Sequence, residues 1–167
     1  STNCMFTPLF TEGKEPKQEF IEFLDKANDY LDFISISWDA DKECNNAMRL
    51  NGHYEDVQTF LNIFKEERYT FKLKVNTVVT KKNINNIDNN DGILDTLKDI
   101  SCIWKLVQFN PRECPVENRR DYEIAKYDFL ELFDKINSRN NALPRASKCT
   151  IINRLYEGKD EPYCFLV

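Results

Sequence analysis

Phe20, Phe23, Leu24, Ala27 and Leu31 recur at i, i+3, i+4, i+7 and i+11, which lines one stripe of a helix. Pro16 suits the first turn of that helix, where no intrahelical amide bond is lost. Phe33-Ile34-Ser35-Ile36-Ser37-Trp38 is too short for a helix and rich in aromatic and β-branched residues, so it predicts a strand. Val57, Phe60, Leu61 and Phe64 return to helical spacing. From Phe71 to Val79 the period becomes two: Phe71, Leu73, Val75 and Thr77 alternate with Lys72, Lys74, Asn76 and Val78, a strand with one apolar face and one carrying polar groups.

Capping residues at Asn89-Asn90-Asp91-Gly92 precede Ile93, Leu94, Leu97 and Ile100, which predicts a short amphipathic helix. Cys102 to Phe109 reads as a strand, Phe129, Leu132, Phe133 and Ile136 as a helical stripe, and Lys148 to Asn153 and Tyr163 to Val167 as closing strands. Strand and helix thus alternate with short connections, the signature of an α/β fold with a mainly parallel sheet of alternating βα units. Such sheets place their sites at the carboxyl ends of strands, here Ser37 to Asp39, Asn76 to Val79 and Gln108 to Pro111.

At 167 residues the chain matches one domain, residues 1 to 167. Its 28 acidic and 23 basic residues are interspersed and sum to −5, so no broad basic field is available for nucleic acid. No stretch approaches the roughly 20 apolar residues of a membrane span. The six cysteines, at 4, 44, 102, 114, 149 and 164, include no C-x-x-C pair. That disfavours a local metal knuckle and fits reduced, structural thiols in a cytoplasmic protein. With one histidine, His53, a histidine-rich metal site is excluded, and its Asn-Gly-His-Tyr context reads as a surface loop.

Three strand ends carry a resemblance: Tyr30-Leu31-Asp32-Phe33-Ile34-Ser35-Ile36-Ser37-Trp38-Asp39, Lys74-Val75-Asn76-Thr77-Val78-Val79 and Trp104-Lys105-Leu106-Val107-Gln108. In order and spacing they resemble the "YLD…ISxD", "K-[IV]-N-[ST]-V" and "WK-x-x-Q" strands of viperin-like radical S-adenosylmethionine (SAM) proteins. The Asp128 to Ile136 helix and the Pro162 to Val167 strand are similar to elements that follow in that family. The family's C-x-x-x-C-x-x-C cluster motif and "GGEP" segment have no counterpart here.

The resemblance implies the later part of a partial TIM-like, radical SAM barrel. It implies a longer parent enzyme in which SAM bound to a 4Fe-4S cluster is reductively cleaved to a 5′-deoxyadenosyl radical that abstracts a substrate hydrogen. Neither cofactor is expected on this chain alone, which would by itself be inactive. Ser37, Asn76, Thr77 and Val78 would line the SAM site, and Lys74, Gln108 and Tyr163 would face the substrate. The partner implied is the missing N-terminal half of the domain. Without it the Phe33 to Trp38 strand would be an open edge, inviting self-association or cover by the Cys4 to Phe10 segment. The family's basic loop after the "ISxD" strand corresponds to Arg49 to Asp56, which lacks a lysine cluster, so this segment does not point to a nucleoside triphosphate as substrate.

Blander roles stand beside these. Asn76 would satisfy loop backbone, Lys74 would be solvated or paired with a carboxylate, and Ser37 and Asp39 would end a strand and cap the next turn. Trp104 reads as a core or rim aromatic and Asn83 to Asn90 as a solvated loop. The function alternative to the enzyme is a stand-alone α/β module that binds a small ligand or a partner in its strand-end crevice without redox chemistry.

Overall fold

The computed structural model describes residues 18–49, 52–65, 69–89, 92–113, 115–145 and 148–155. Strands β1 (Phe33–Ser37), β2 (Lys72–Val79), β3 (Cys102–Gln108) and β4 (Thr150–Arg154) form one sheet in the order β1-β2-β3-β4, and every neighbouring pair is parallel. Helix α1 (Gln18–Ala27) precedes β1, α2 (Lys42–Met48) and α3 (His53–Phe64) lie between β1 and β2, and α4 (Ile93–Leu97) lies between β2 and β3. Two short 3-10 turns, α5 (Arg119–Tyr122) and the long α6 (Lys126–Ala142) connect β3 to β4.

The helical stripes read from the sequence are the ones that pack. Phe20 and Leu24 of α1, Val57, Phe60 and Leu61 of α3, Ile93, Leu94 and Leu97 of α4, and Phe129, Leu132 and Ile136 of α6 join one buried cluster. The strands contribute Ile34, Leu73, Val75, Val79, Cys102, Trp104 and Leu106 to it. Because side chains alternate along a strand, these alternate positions belong to one face of the sheet, and the helices therefore all cover that face.

The opposite face carries Phe33, Ser35 and Ser37 of β1, Lys74, Asn76 and Val78 of β2, Ile103, Lys105 and Val107 of β3, and Thr150, Ile152 and Arg154 of β4. All of these except Val107 are half-buried or exposed. A parallel sheet is ordinarily covered on both faces. Helices on a single face are the arrangement of a barrel wall rather than of a doubly wound sheet, and this wall is open rather than closed.

Two expectations shift. Asn83 to Asn90 is not simply a solvated loop: Asn83 and Ile87 are fully buried, and Asp88 is buried against Arg139 of α6, which also pairs with Asp95 of α4. Helix α2 was not expected, because Lys42-Glu43-Cys44-Asn45-Asn46-Ala47-Met48 has no apolar stripe. It forms because the Asp41 carboxylate caps it by accepting the Cys44 amide at 3.0 Å. Pro16, the Ser1 to Phe10 segment, Tyr163 and the Tyr163 to Val167 strand lie outside the described residues.

Candidate functional site

At the carboxyl end of β1 the chain turns through Trp38-Asp39-Ala40, all three buried. The Asp39 Oδ1 accepts the Val78 amide at 2.9 Å and its Oδ2 accepts Arg49 Nε at 2.6 Å. Asn45 of α2 accepts the Asp39 amide on Oδ1 at 3.0 Å and points Nδ2 at His53 Nδ1, 2.9 Å away. Since Asn45 Oδ1 is already an acceptor, Nδ2 is the donor, and His53 Nδ1 accepts as a neutral imidazole protonated on Nε2. His53 is thus half-buried at the start of α3, not a surface-loop residue. Gly52 just before it has φ +88°, a left-handed conformation that glycine adopts without strain.

Asn83 completes this tie from the β2 side. Its Nδ2 donates to the carbonyls of Asp39 and Val78 at 2.9 and 2.8 Å, and its Oδ1 accepts from Thr80 N and Oγ1 at 2.7 and 2.9 Å. The ends of β1 and β2 are therefore locked together by side chains.

The face that no helix of the described residues covers runs below these strand ends. Asn76 Nδ2 donates to Ser35 Oγ at 2.7 Å, while Asn76 Oδ1 and the Ser37 hydroxyl have no protein partner among the described residues. Ser37, Lys74, Asn76 and Val78 are brought together on this face, Ser35 beside Lys74 and Ser37 beside Asn76 in register. Lys105 is the register neighbour of Asn76, and Arg154 that of Val107. Burial and the positive charges of Lys74 and Arg154 push the Lys105 ammonium below its ordinary pKa. Neither Lys74 nor Lys105 has a carboxylate within ion-pair distance among the described residues.

Two expected site residues are placed elsewhere. Thr77 is fully buried on the helix-covered face, where its Oγ1 donates to the Trp38 carbonyl at 2.5 Å and accepts Trp104 Nε1 at 2.9 Å. Its side chain does not join the open face. Gln108 is also buried on the covered side, donating to the Ile124 carbonyl at 3.1 Å. Both follow from strand alternation: each is an odd number of residues from the open-face position of its own strand. Tyr163 lies outside the described residues.

Lys105, Arg154 and the Asp39–Arg49 pair were not singled out from the sequence. Alternation from Ile103 could have placed Lys105 on one face, but only strand pairing puts it next to Asn76. Among the described residues no three His, Cys, Asp or Glu side chains are grouped to hold a metal. No helix of the described residues is long and apolar enough to cross a membrane.

No family model matches the chain. It is similar to an S-adenosylmethionine-dependent enzyme. Over 144 residues it is 30% identical to an S-adenosylmethionine-dependent nucleotide dehydratase of Flammeovirga pacifica, a match covering 83% of this chain and 47% of that protein. The chain therefore spans about half the length of the curated relative it matches. The likeness is distant, and it agrees in kind with the strand motifs.

Proposed function

We propose that this chain is the later wall of a radical SAM barrel and that its open sheet face holds a phosphate-bearing nucleotide beside the adenosyl group of SAM. One observation carries this: Lys74 and Lys105, from adjacent strands and with no carboxylate within ion-pair distance among the described residues, stand together on the open face next to the Ser35–Asn76 pair. Like charges gathered this way raise one another's energy, and an anion laid across them removes that cost. The chain's net charge of −5 makes the local excess of cations the more distinctive. They supply from the sheet what the Arg49 to Asp56 segment, without lysines, does not. The relative's dependence on SAM and its action on a nucleotide support the same assignment.

The residues present fit one side of an adenosyl group. The Ser37 hydroxyl and the Asn76 carbonyl oxygen are available to ribose hydroxyls, and Val78 offers apolar contact to a base. They do not fit the iron–sulfur cluster, since the six cysteines lack the family spacing and the described residues group no ligand trio. The cluster would come from the N-terminal half of the parent domain, which is the partner proposed for the open wall.

The test is calorimetric titration of the full chain with a nucleoside triphosphate, with inorganic triphosphate and with SAM. The expected result is salt-sensitive binding of both triphosphates, weakened about fivefold or more in Lys74→Ala and in Lys105→Ala, with SAM much weaker. Triphosphate binding that is unchanged in both variants would remove the assignment. Low-micromolar SAM binding lost in Asn76→Ala would instead support a self-sufficient nucleoside-binding module.

A further inference from the structure

Cys102 opens β3, and Cys149 immediately precedes β4. Because Ile103 pairs with Thr150, these cysteines occupy the preceding register position on adjacent parallel strands, and their side chains lie on the same, helix-covered face. The two sulfurs are 3.6 Å apart, both residues are buried, and both are free thiols. Adjacent strands run about 4.8 Å apart, inside the 4.4–6.8 Å Cα window that a disulfide accepts. Forming the bond brings the sulfurs from 3.6 Å to the roughly 2.05 Å of an S–S bond.

The surroundings hold the pair in place. Asn140 of α6 clamps the Cys149 backbone from both sides, donating to its carbonyl at 2.9 Å and accepting its amide at 3.1 Å. The Cys149 Sγ–H in turn donates to the Leu97 carbonyl at 3.4 Å.

We propose that Cys102 and Cys149 are an oxidative modification site that takes a low-molecular-weight disulfide as oxidant and closes into a disulfide stapling β4 to β3. This proposal is independent of the one made for the open face.

The chemistry balances in two exchanges. The Cys149 thiolate attacks one sulfur of the oxidant, breaking its S–S bond and releasing one small thiol. The Cys102 thiolate then attacks Cys149 Sγ in the mixed disulfide and expels the second small thiol. Two protein thiols become one disulfide, their two electrons reduce the oxidant to two thiols, and the two protons end on those thiols.

The order follows from the hydrogen bond. Cys102 Sγ–H donates to Cys149 Sγ, so of the two thiols Cys149 is the easier to ionise and Cys102 is pushed up, and Cys149 loses its proton when the site opens and its bond to the Leu97 carbonyl is released. Burial makes the first exchange slow, and it proceeds when β4, with no partner beyond β3 among the described residues, opens. The product would fix the strand that presents Arg154 to the open face.

The experiment treats the folded full chain with oxidised glutathione, quenches in acid, alkylates remaining thiols and maps the peptides without reduction. The expected result is a Cys102–Cys149 linked pair, while the more accessible Cys44 carries glutathione as an internal control. The thermal midpoint should rise by about 5 °C, reversibly with dithiothreitol, and not in Cys102→Ser or Cys149→Ser. Glutathione retained on either cysteine, both thiols alkylated separately, or linkage only to other cysteines would overturn the proposal. Should a serine variant not fold, the wild-type peptide map decides alone.

Discussion

Asp39 meets Arg49 at 2.6 Å through Oδ2 while its Oδ1 takes the Val78 amide at 2.9 Å, so one buried carboxylate ties the end of β1 to the end of α2 and to β2. The Asp39 side chain is 4% exposed and that of Arg49 30%. A buried charge that loses its partner is costly, and partial exposure of the arginine tempers the cost. Arg49→Ala should lower stability by about 2 kcal/mol, read from urea unfolding. A change within about 0.5 kcal/mol, typical of surface sites, would mean that Asp39 is held by its amide bond alone.

Asn83 makes four hydrogen bonds from a fully buried site. Asn83→Ala strands two carbonyls and the Thr80 donors, and each buried orphan costs about 1–3 kcal/mol. A loss of about 3 kcal/mol is expected, and Asn83→Asp should recover little, because a carboxylate cannot donate to the carbonyls of Asp39 and Val78. Full recovery in the aspartate variant would show that those two carbonyls do not depend on it.

His53 has its pKa held below the ordinary 6.5, first by burial and then by the Arg49 charge. The unfolded chain therefore binds the proton more readily between the depressed folded value and 6.5, and stability is complete above about pH 6.5 and falls as the pH drops through that window. Glu55 acts lower, since Lys42 holds its carboxyl down at about 2. Because His53 is the chain's single histidine, His53→Gln should flatten the stability profile between pH 5 and 7. An unchanged slope in that variant would assign the acid sensitivity elsewhere.

Among the described residues β1 pairs only with β2, and Phe33 on its open face is 49% exposed. We propose that this edge recruits a second copy of the chain when the N-terminal half of the domain is not beside it. Light scattering should then report a mass that rises with concentration, and Phe33→Lys should hold the chain monomeric. A wild-type monomer at every concentration would end that proposal.

Much of the fold was legible because each layer repeats a period. The stripes Phe20/Leu24, Phe60/Leu61 and Phe129/Leu132/Ile136 exist to bury one side of a helix, and the alternation from Leu73 to Val79 exists to bury one side of a strand. The strand motifs, read as a resemblance, pointed to the S-adenosylmethionine-dependent class to which the relative belongs. The same alternation already set Thr77 with Leu73 and Val75 on the apolar side, where it bonds Trp38 and Trp104, and it was the motif's pairing of Thr77 with Val78 that assigned it to the site.

What tertiary structure alone decided were the partnerships between distant segments. Sequence order carries no register, so only pairing set Lys105 beside Asn76 and Cys102 beside Cys149. Asp39, Asn45, Arg49, His53 and Asn83 have no periodic pattern to betray them, because each is fixed by individual hydrogen bonds or ion pairs to distant residues rather than by a repeated face. Local periodicity determines which side of each element is apolar. The meeting of single polar groups depends on how the elements dock, and that is settled by packing across the whole core.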